Sequence, residues 1–125
     1  MSELDLSLRR AIFASFAATG TAGEHGDVRS LEEQHVVALD ADGKILMAHP
    51  FAAHHDGTRV DSGRRTGWGN CAWDGFGIVA ALGLEEATIT AQDISLDVRD
   101  GAVHGDAVFH VLVPARHWWD DIGFT

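Results

Sequence analysis

The stretch NCAWDGFGIVAALG, residues 70 to 83, is closed as a helix at both ends, and after it come mainly short β-rich runs. Asn70 is a good N-cap, Phe76, Val79 and Leu82 repeat at helical spacing, and Gly83 stands where a left-handed C-cap is needed. Gly75 and Gly77 each cost about 1 kcal/mol relative to alanine inside a helix, which points to a role in close packing. Beyond it, Ala87 to Thr90, Ile94 to Val98 and Ala107 to Val113 read as strands, with Asp100-Gly101 turning between the later two. Pro114 then opens a helical or irregular turn over ARHWWDD. A central helix leading strands joined by tight turns predicts an α+β chain whose core is a mixed, mostly antiparallel sheet.

The N-terminal side carries a different pattern. Leu8, Ile12 and Phe16 recur at four-residue spacing, Ser2 stands three before Asp5 as a capping box requires, and Gly20 ends the helix. Ser30 with Glu33 repeats the capping signature before a short helical turn. Val36 to Leu39 and Lys44 to Ala48 are the arms of a hairpin turned at Asp42-Gly43. Two helices and a two-stranded wing predict a reduced winged-helix-like subdomain over residues 1 to 50, with the core over 51 to 125. Residues 51 to 66 read as a polar loop around a short strand at Thr58 to Asp61.

Charge narrows the partners. The formal net charge of -10 repels phosphate backbones and anionic lipid, and residues 1 to 50 hold eight acids against Arg9, Arg10, Arg29 and Lys44. The wing is therefore expected to be structural, with neither nucleic acid nor membrane as partner. Anisotropy titration with duplex DNA at about 150 mM salt should show no submicromolar, sequence-selective binding, and finding it would overturn that role. The start MSELDLSLRR places acids where a secretory signal places lysines, and a single cysteine suits a reducing compartment, so a cytoplasmic location is expected.

That cysteine, Cys71, falls at the first helical position if Asn70 is the cap. Unpaired backbone N–H groups and the positive end of the helix dipole there favour a thiolate, predicting faster alkylation near neutral pH than a free thiol shows. Asp74 lies one turn on, on the same face, and its carboxyl group raises the thiol's pKa if ionised or stores a proton if held neutral by Trp68, Trp73 and Phe76. The simpler reading is a buried sulfur beside an acid that favours an early helix position. His117, Trp118 and Trp119 form a cluster suited to walling the pocket near Cys71, or simply to burying aromatic area. Among eight histidines, His54-His55-Asp56 and the pair His104 and His110 have the atoms for metal binding, but their spacing favours structural or solvated roles.

WGNCAWDGFGI, with ILMAHPFAA upstream and ARHWWDDIGFT at the end, resembles the alkylmercury (organomercurial) lyase family over about residues 8 to 125. The resemblance implies protonolysis of a carbon–mercury bond. Cys71 would be the mercury-binding thiolate, hence the metal ligand, and Asp74 the proton-transfer group, with Trp68, Trp73, His117 and Trp118 as pocket wall. It implies no cofactor; the partners would be a small organomercurial or other soft electrophile and, where needed, external thiols.

The chain departs from the family at two thiols. The family's second catalytic cysteine would follow directly after DDIGFT, and a further core cysteine has no counterpart in TITAQDISLDV. Either the sequence is cut just short of its second thiol or it is a short relative that has lost the usual chemistry; the apolar ending IGFT reads as an interrupted strand and favours the first. TAGEHGDVR is also too short for the family's full helix-turn-helix. Two functions stay in competition: an impaired lyase, and a one-thiol module that holds a soft metal or electrophile without turnover.

Overall fold

The computed structural model describes residues 1–109 and 111–122. Helix α1, Glu3–Thr19, opens on the expected capping box: Ser2 Oγ accepts from Asp5 N–H, the Asp5 carboxylate accepts from Ser2 N–H, and Gly20 closes the helix at φ 74. Ile12 and Phe16 are its buried residues. Helix α2, Arg29–Glu33, begins two residues earlier than Ser30 as its cap would set it, because Val28 is the cap. Ser30 Oγ instead donates to Asp5 Oδ2 at 3.1 Å, tying α2 to the start of α1.

The hairpin follows, with β1 at Ala38–Leu39 and β2 at Ile45–Ala48. Its turn is braced by Asp40, whose Oδ1 accepts from the N–H groups of Asp42 and Lys44. A third strand that the polar composition of the next segment concealed, β3 at Phe51–Ala52, pairs antiparallel with β2. Phe51 stacks on Phe16 with ring centroids 5.5 Å apart, which fastens this small sheet to α1.

The second sheet has five strands in the order β5-β4-β6-β7-β8, every neighbour antiparallel. They are β4 Thr58–Asp61, β5 Thr66–Gly69, β6 Ala87–Ala91, β7 Ile94–Arg99 and β8 Ala102–His104. Helix α3, Ala72–Leu82, packs on β4, β5 and β6 and ends at Gly83 with φ 62. Its two internal glycines do serve close packing. A Cβ at Gly75 would sit 2.7 Å from Ile89 Cγ2, and one at Gly77 would sit 2.8 Å from Pro50 Cβ. The fold is thus α+β with antiparallel sheets, and one apolar core runs from Ile12, Phe16 and Leu31 through Phe51 to Val60, Ile78, Ile89 and Val98.

Two expectations need correcting. Strand β5 begins at the last residue of the expected loop and runs through 67–69, where no strand is expected, since glycines at 67 and 69 suppress the β signal while permitting α3 to close on the strand. The strand expected at Ala107 to Val113 is absent among the described residues, which are irregular and largely exposed. Its place beside β7 is taken by the short β8, directly after the Asp100-Gly101 turn, and Gly105 then leads the chain away at φ 145. Beyond it, Pro114 caps a 3₁₀ helix, Ala115–Asp120, as the sequence suggests. Residues 123–125 of the expected interrupted strand, and the pairing of His104 with His110, lie outside the described residues. Among those described, no helix is long and apolar enough to cross a membrane.

Candidate functional site

Strand β5 runs directly into α3, and this junction places the cysteine. Cys71 is itself the N-cap, with extended backbone at φ -127, and Asn70 stands one residue outside the helix. Asp74 becomes N3, so its carboxylate folds back over the helix start. Asp74 Oδ2 accepts from Asn70 N–H at 3.1 Å and from Cys71 N–H at 3.2 Å, and Cys71 Sγ lies 3.6 Å from the same oxygen. Asp74 is buried, 7% exposed, and a Cβ at Gly69 would sit 2.6 Å from its Cβ. Only glycine at that strand position lets the acid fit so closely.

The thiol is not activated in the sense expected from a first-turn cysteine. Burial first, then the charge of Asp74, push the Cys71 thiol above its usual range, while backbone N–H groups of Asp74 and Trp73 pull it down. A raised pKa means less thiolate at neutral pH, not more. Iodoacetamide should therefore react with Cys71 more slowly near pH 7 than with a free thiol, with a rate profile rising above the ordinary thiol pKa of about 8.5. Asp74→Asn, which removes the second cause and keeps the volume, should move the profile back toward lower pH. A wild-type profile at or below that of a free thiol would contradict this reading.

Cys71 borders a cavity of about 760 Å³. Trp73 from α3, Trp118 and Trp119 from the 3₁₀ helix, Phe109 and Pro50 supply much of its apolar lining, and Asp74, His49 and Asn70 its polar edge. Cys71 and Phe109 also border a second hollow of about 530 Å³ on the β6–β8 side. Phe109, which borders both, packs against Trp73 and Phe76 in T-shaped contacts at 5.3 and 5.1 Å.

Of the wall expected from sequence, Trp73 and Trp118 line this cavity with Cys71. Trp68 does not. Alternation along β5 turns Gly67 and Gly69 toward α3 and Trp68 to the opposite face, where it stacks on His55 at 4.6 Å. His117 also points elsewhere: it pairs with Asp120 at 3.0 Å in its own 3₁₀ turn and stays half-exposed. His54 lies between Asp56 and Asn70, its Nε2 2.9 Å from Asn70 Oδ1, and among the described residues no three His, Cys, Asp or Glu side chains gather to hold a metal ion.

Three residues to which the sequence assigned no part in the site complete it. His49, at the end of β2, sets Nδ1 3.5 Å from Asp74 Oδ1. His35 stacks on Trp119 at 4.4 Å, and His49 meets the edge of the same indole at 5.8 Å. Asn70 donates from Nδ2 to the Ile122 carbonyl at 3.3 Å, joining the helix start to the segment after the 3₁₀ helix. His49 falls in the quoted stretch ILMAHPFAA and Asn70 in WGNCAWDGFGI, where it was read only as a helix cap; His35 gave no signal.

With fold and site in hand, comparison with known proteins gives the class first: an α+β chain of the fold seen in a mercury-binding protein. That protein is MerB2, whose crystal structure in the mercury-bound form superposes with a TM-score of 0.64 at 21% identity, covering 84% of this chain and 60% of that one. The chain thus spans less than two thirds of MerB2's length, and the likeness is one of fold. No protein-family model and no curated protein matches the sequence.

Proposed function

We propose that this chain is an organomercurial-lyase-like protein that captures mercury at Cys71 and uses Asp74 to move the proton. The observation that carries the reading is the Cys71 Sγ to Asp74 Oδ2 separation of 3.6 Å at the edge of an aromatic-walled cavity. The fold shared with MerB2 and the sequence resemblance at WGNCAWDGFGI support it. Residues 1 to 50 serve as the reduced winged-helix-like subdomain and 51 to 125 as the lyase-like core, acting in the cytoplasm where thiols stay reduced.

A soft mercury centre exchanges its outgoing ligand for the soft sulfur of Cys71. As the sulfur–mercury bond forms, the thiol proton passes to Asp74 Oδ2. The carbon–mercury bond then breaks, its electron pair takes that proton as a new carbon–hydrogen bond, and Asp74 returns to a carboxylate. One sulfur donates less to the metal than two, so an external thiol completes the coordination and speeds the second step. The raised thiol pKa fits this order, because the proton needed later is already stored on Cys71.

The second reading, a one-thiol binding module without turnover, is favoured by the presence of a single cysteine among these 125 residues. Headspace detection of methane from methylmercury separates the two. Slow release alone and faster release with excess small thiol are expected; stoichiometric binding with no release under either condition would leave the binding module.

A further inference from the structure

The proposed chemistry leaves His49, which faces Asp74, without a task, and its surroundings define one. Nδ1 faces Asp74 Oδ1 at 3.5 Å, whereas Nε2 is buried and has no hydrogen-bond partner among the described residues. A neutral imidazole carries one proton. On Nε2 it would be a buried donor without an acceptor, which is costly; on Nδ1 it points at a carboxylate oxygen. Asp74 Oδ2 is already engaged by two backbone N–H groups and the thiol, so Oδ1 is the free acceptor.

We propose that His49 is a positioning residue for the Cys71–Asp74 pair, its Nδ1–H tautomer holding Asp74 Oδ1 so that Oδ2 stays aimed at Cys71 Sγ. The separation is longer than a formed hydrogen bond, as such contacts often are before a substrate arrives. The imidazole neither gains nor loses a proton in the reaction. Trp119 fixes the ring by its edge contact at 5.8 Å, and His35 backs Trp119 from its stacked face. The titratable neighbours around His49 are Asp74 and Cys71 at the start of α3 and His35 across the indole; Asp120 of the 3₁₀ helix is engaged with His117.

This role rests on the lyase reading for its consequence but not for its geometry, so two measurements separate them. Nitrogen-15 NMR of the full chain with labelled histidine reads the tautomer directly. His49 is expected as the Nδ1–H form, and an Nε2–H form would overturn the proposal whether or not the protein cleaves anything. Hydrocarbon release from methylmercury with added thiol is then compared in His49→Leu and His49→Asn, the asparagine amide standing near the Nδ1 position. We expect a loss of about tenfold or more in His49→Leu, with the adduct at Cys71 still formed, and recovery of most of the rate in His49→Asn. Equal rates in wild type and His49→Leu would refute the positioning role. If the wild type releases no hydrocarbon, the lyase reading falls, and the tautomer still decides the assignment of His49.

Discussion

Cys71→Ser is expected to abolish the stoichiometric adduct between this protein and an organomercurial. Cys71 is the only thiol in the sequence, and a serine hydroxyl is a hard, protonated oxygen with little affinity for a soft metal at neutral pH. The substitution is nearly isosteric, and at the N-cap a serine oxygen is at least as good an acceptor as the sulfur, so α3 should start as before. Loss of binding would then report chemistry and not unfolding, and unchanged thermal stability is the control. Intact-protein mass spectrometry after incubation with methylmercury reads the result. A persistent one-to-one adduct in Cys71→Ser would place the mercury site elsewhere.

Ile78→Ala should cost more stability than any change at the surface. Ile78 is fully buried, and its Cγ2 and Cδ1 fill the space that Gly67 and Gly69 leave open on β5. Those glycines bring strand and helix together, so the alanine variant leaves a cavity that no neighbouring side chain is large enough to fill. Truncations of this kind cost about 2–5 kcal/mol, which for a chain of this size lowers the melting temperature by roughly 10–20 °C. Leu4→Ala, at a residue of α1 that is 77% exposed, should stay within about 0.5 kcal/mol of wild type. Melting curves followed by circular dichroism check both; a loss under about 1 kcal/mol at Ile78 would mean that α3 is not held by this packing.

The sequence made the helices legible because their ends are written in residue types with one dominant use. Ser2 with Asp5, Gly20 and Gly83 all cap as their chemistry dictates, and Gly43 and Asp100-Gly101 turn where positive φ is needed. Strands were legible where β-branched residues repeat, as in ATITA, and illegible where function or packing overrode propensity. Gly67 and Gly69 hide β5 for the reason that makes the site possible: a larger residue at 69 would collide with Asp74. AVFHVLV misled in the opposite direction, since its apolar composition suits a strand, but β8 already occupies the edge of β7.

The site was partly legible for a similar reason. Cys71 and Asp74 are three residues apart, and local helical geometry is enough to bring them together. His49 and His35 come from the small sheet and the segment before it, 25 and 39 residues before Asp74, and only tertiary packing carries them to the cavity. The cap position shows how one residue matters. A shift from Asn70 to Cys71 moves the thiol outside the first helical turn and folds Asp74 back over it. Burial first, then the charge of Asp74, push the thiol's pKa up where a first-turn position was expected to lower it.

The pairing of Cys71 with Asp74 is tested most directly on a preformed adduct. The methylmercury adduct at Cys71 is isolated in wild type and in Asp74→Ala, excess small thiol is added, and loss of the methyl group is followed by mass spectrometry with methane measured in the headspace. Both proteins should form the adduct. Wild type should release methane, and Asp74→Ala should keep its methyl group or yield only intact methylmercury to the thiol, with the rate of carbon–mercury cleavage down by about a hundredfold or more. Equal methane release from the two adducts would contradict proton delivery by Asp74 and, with it, the account of this site.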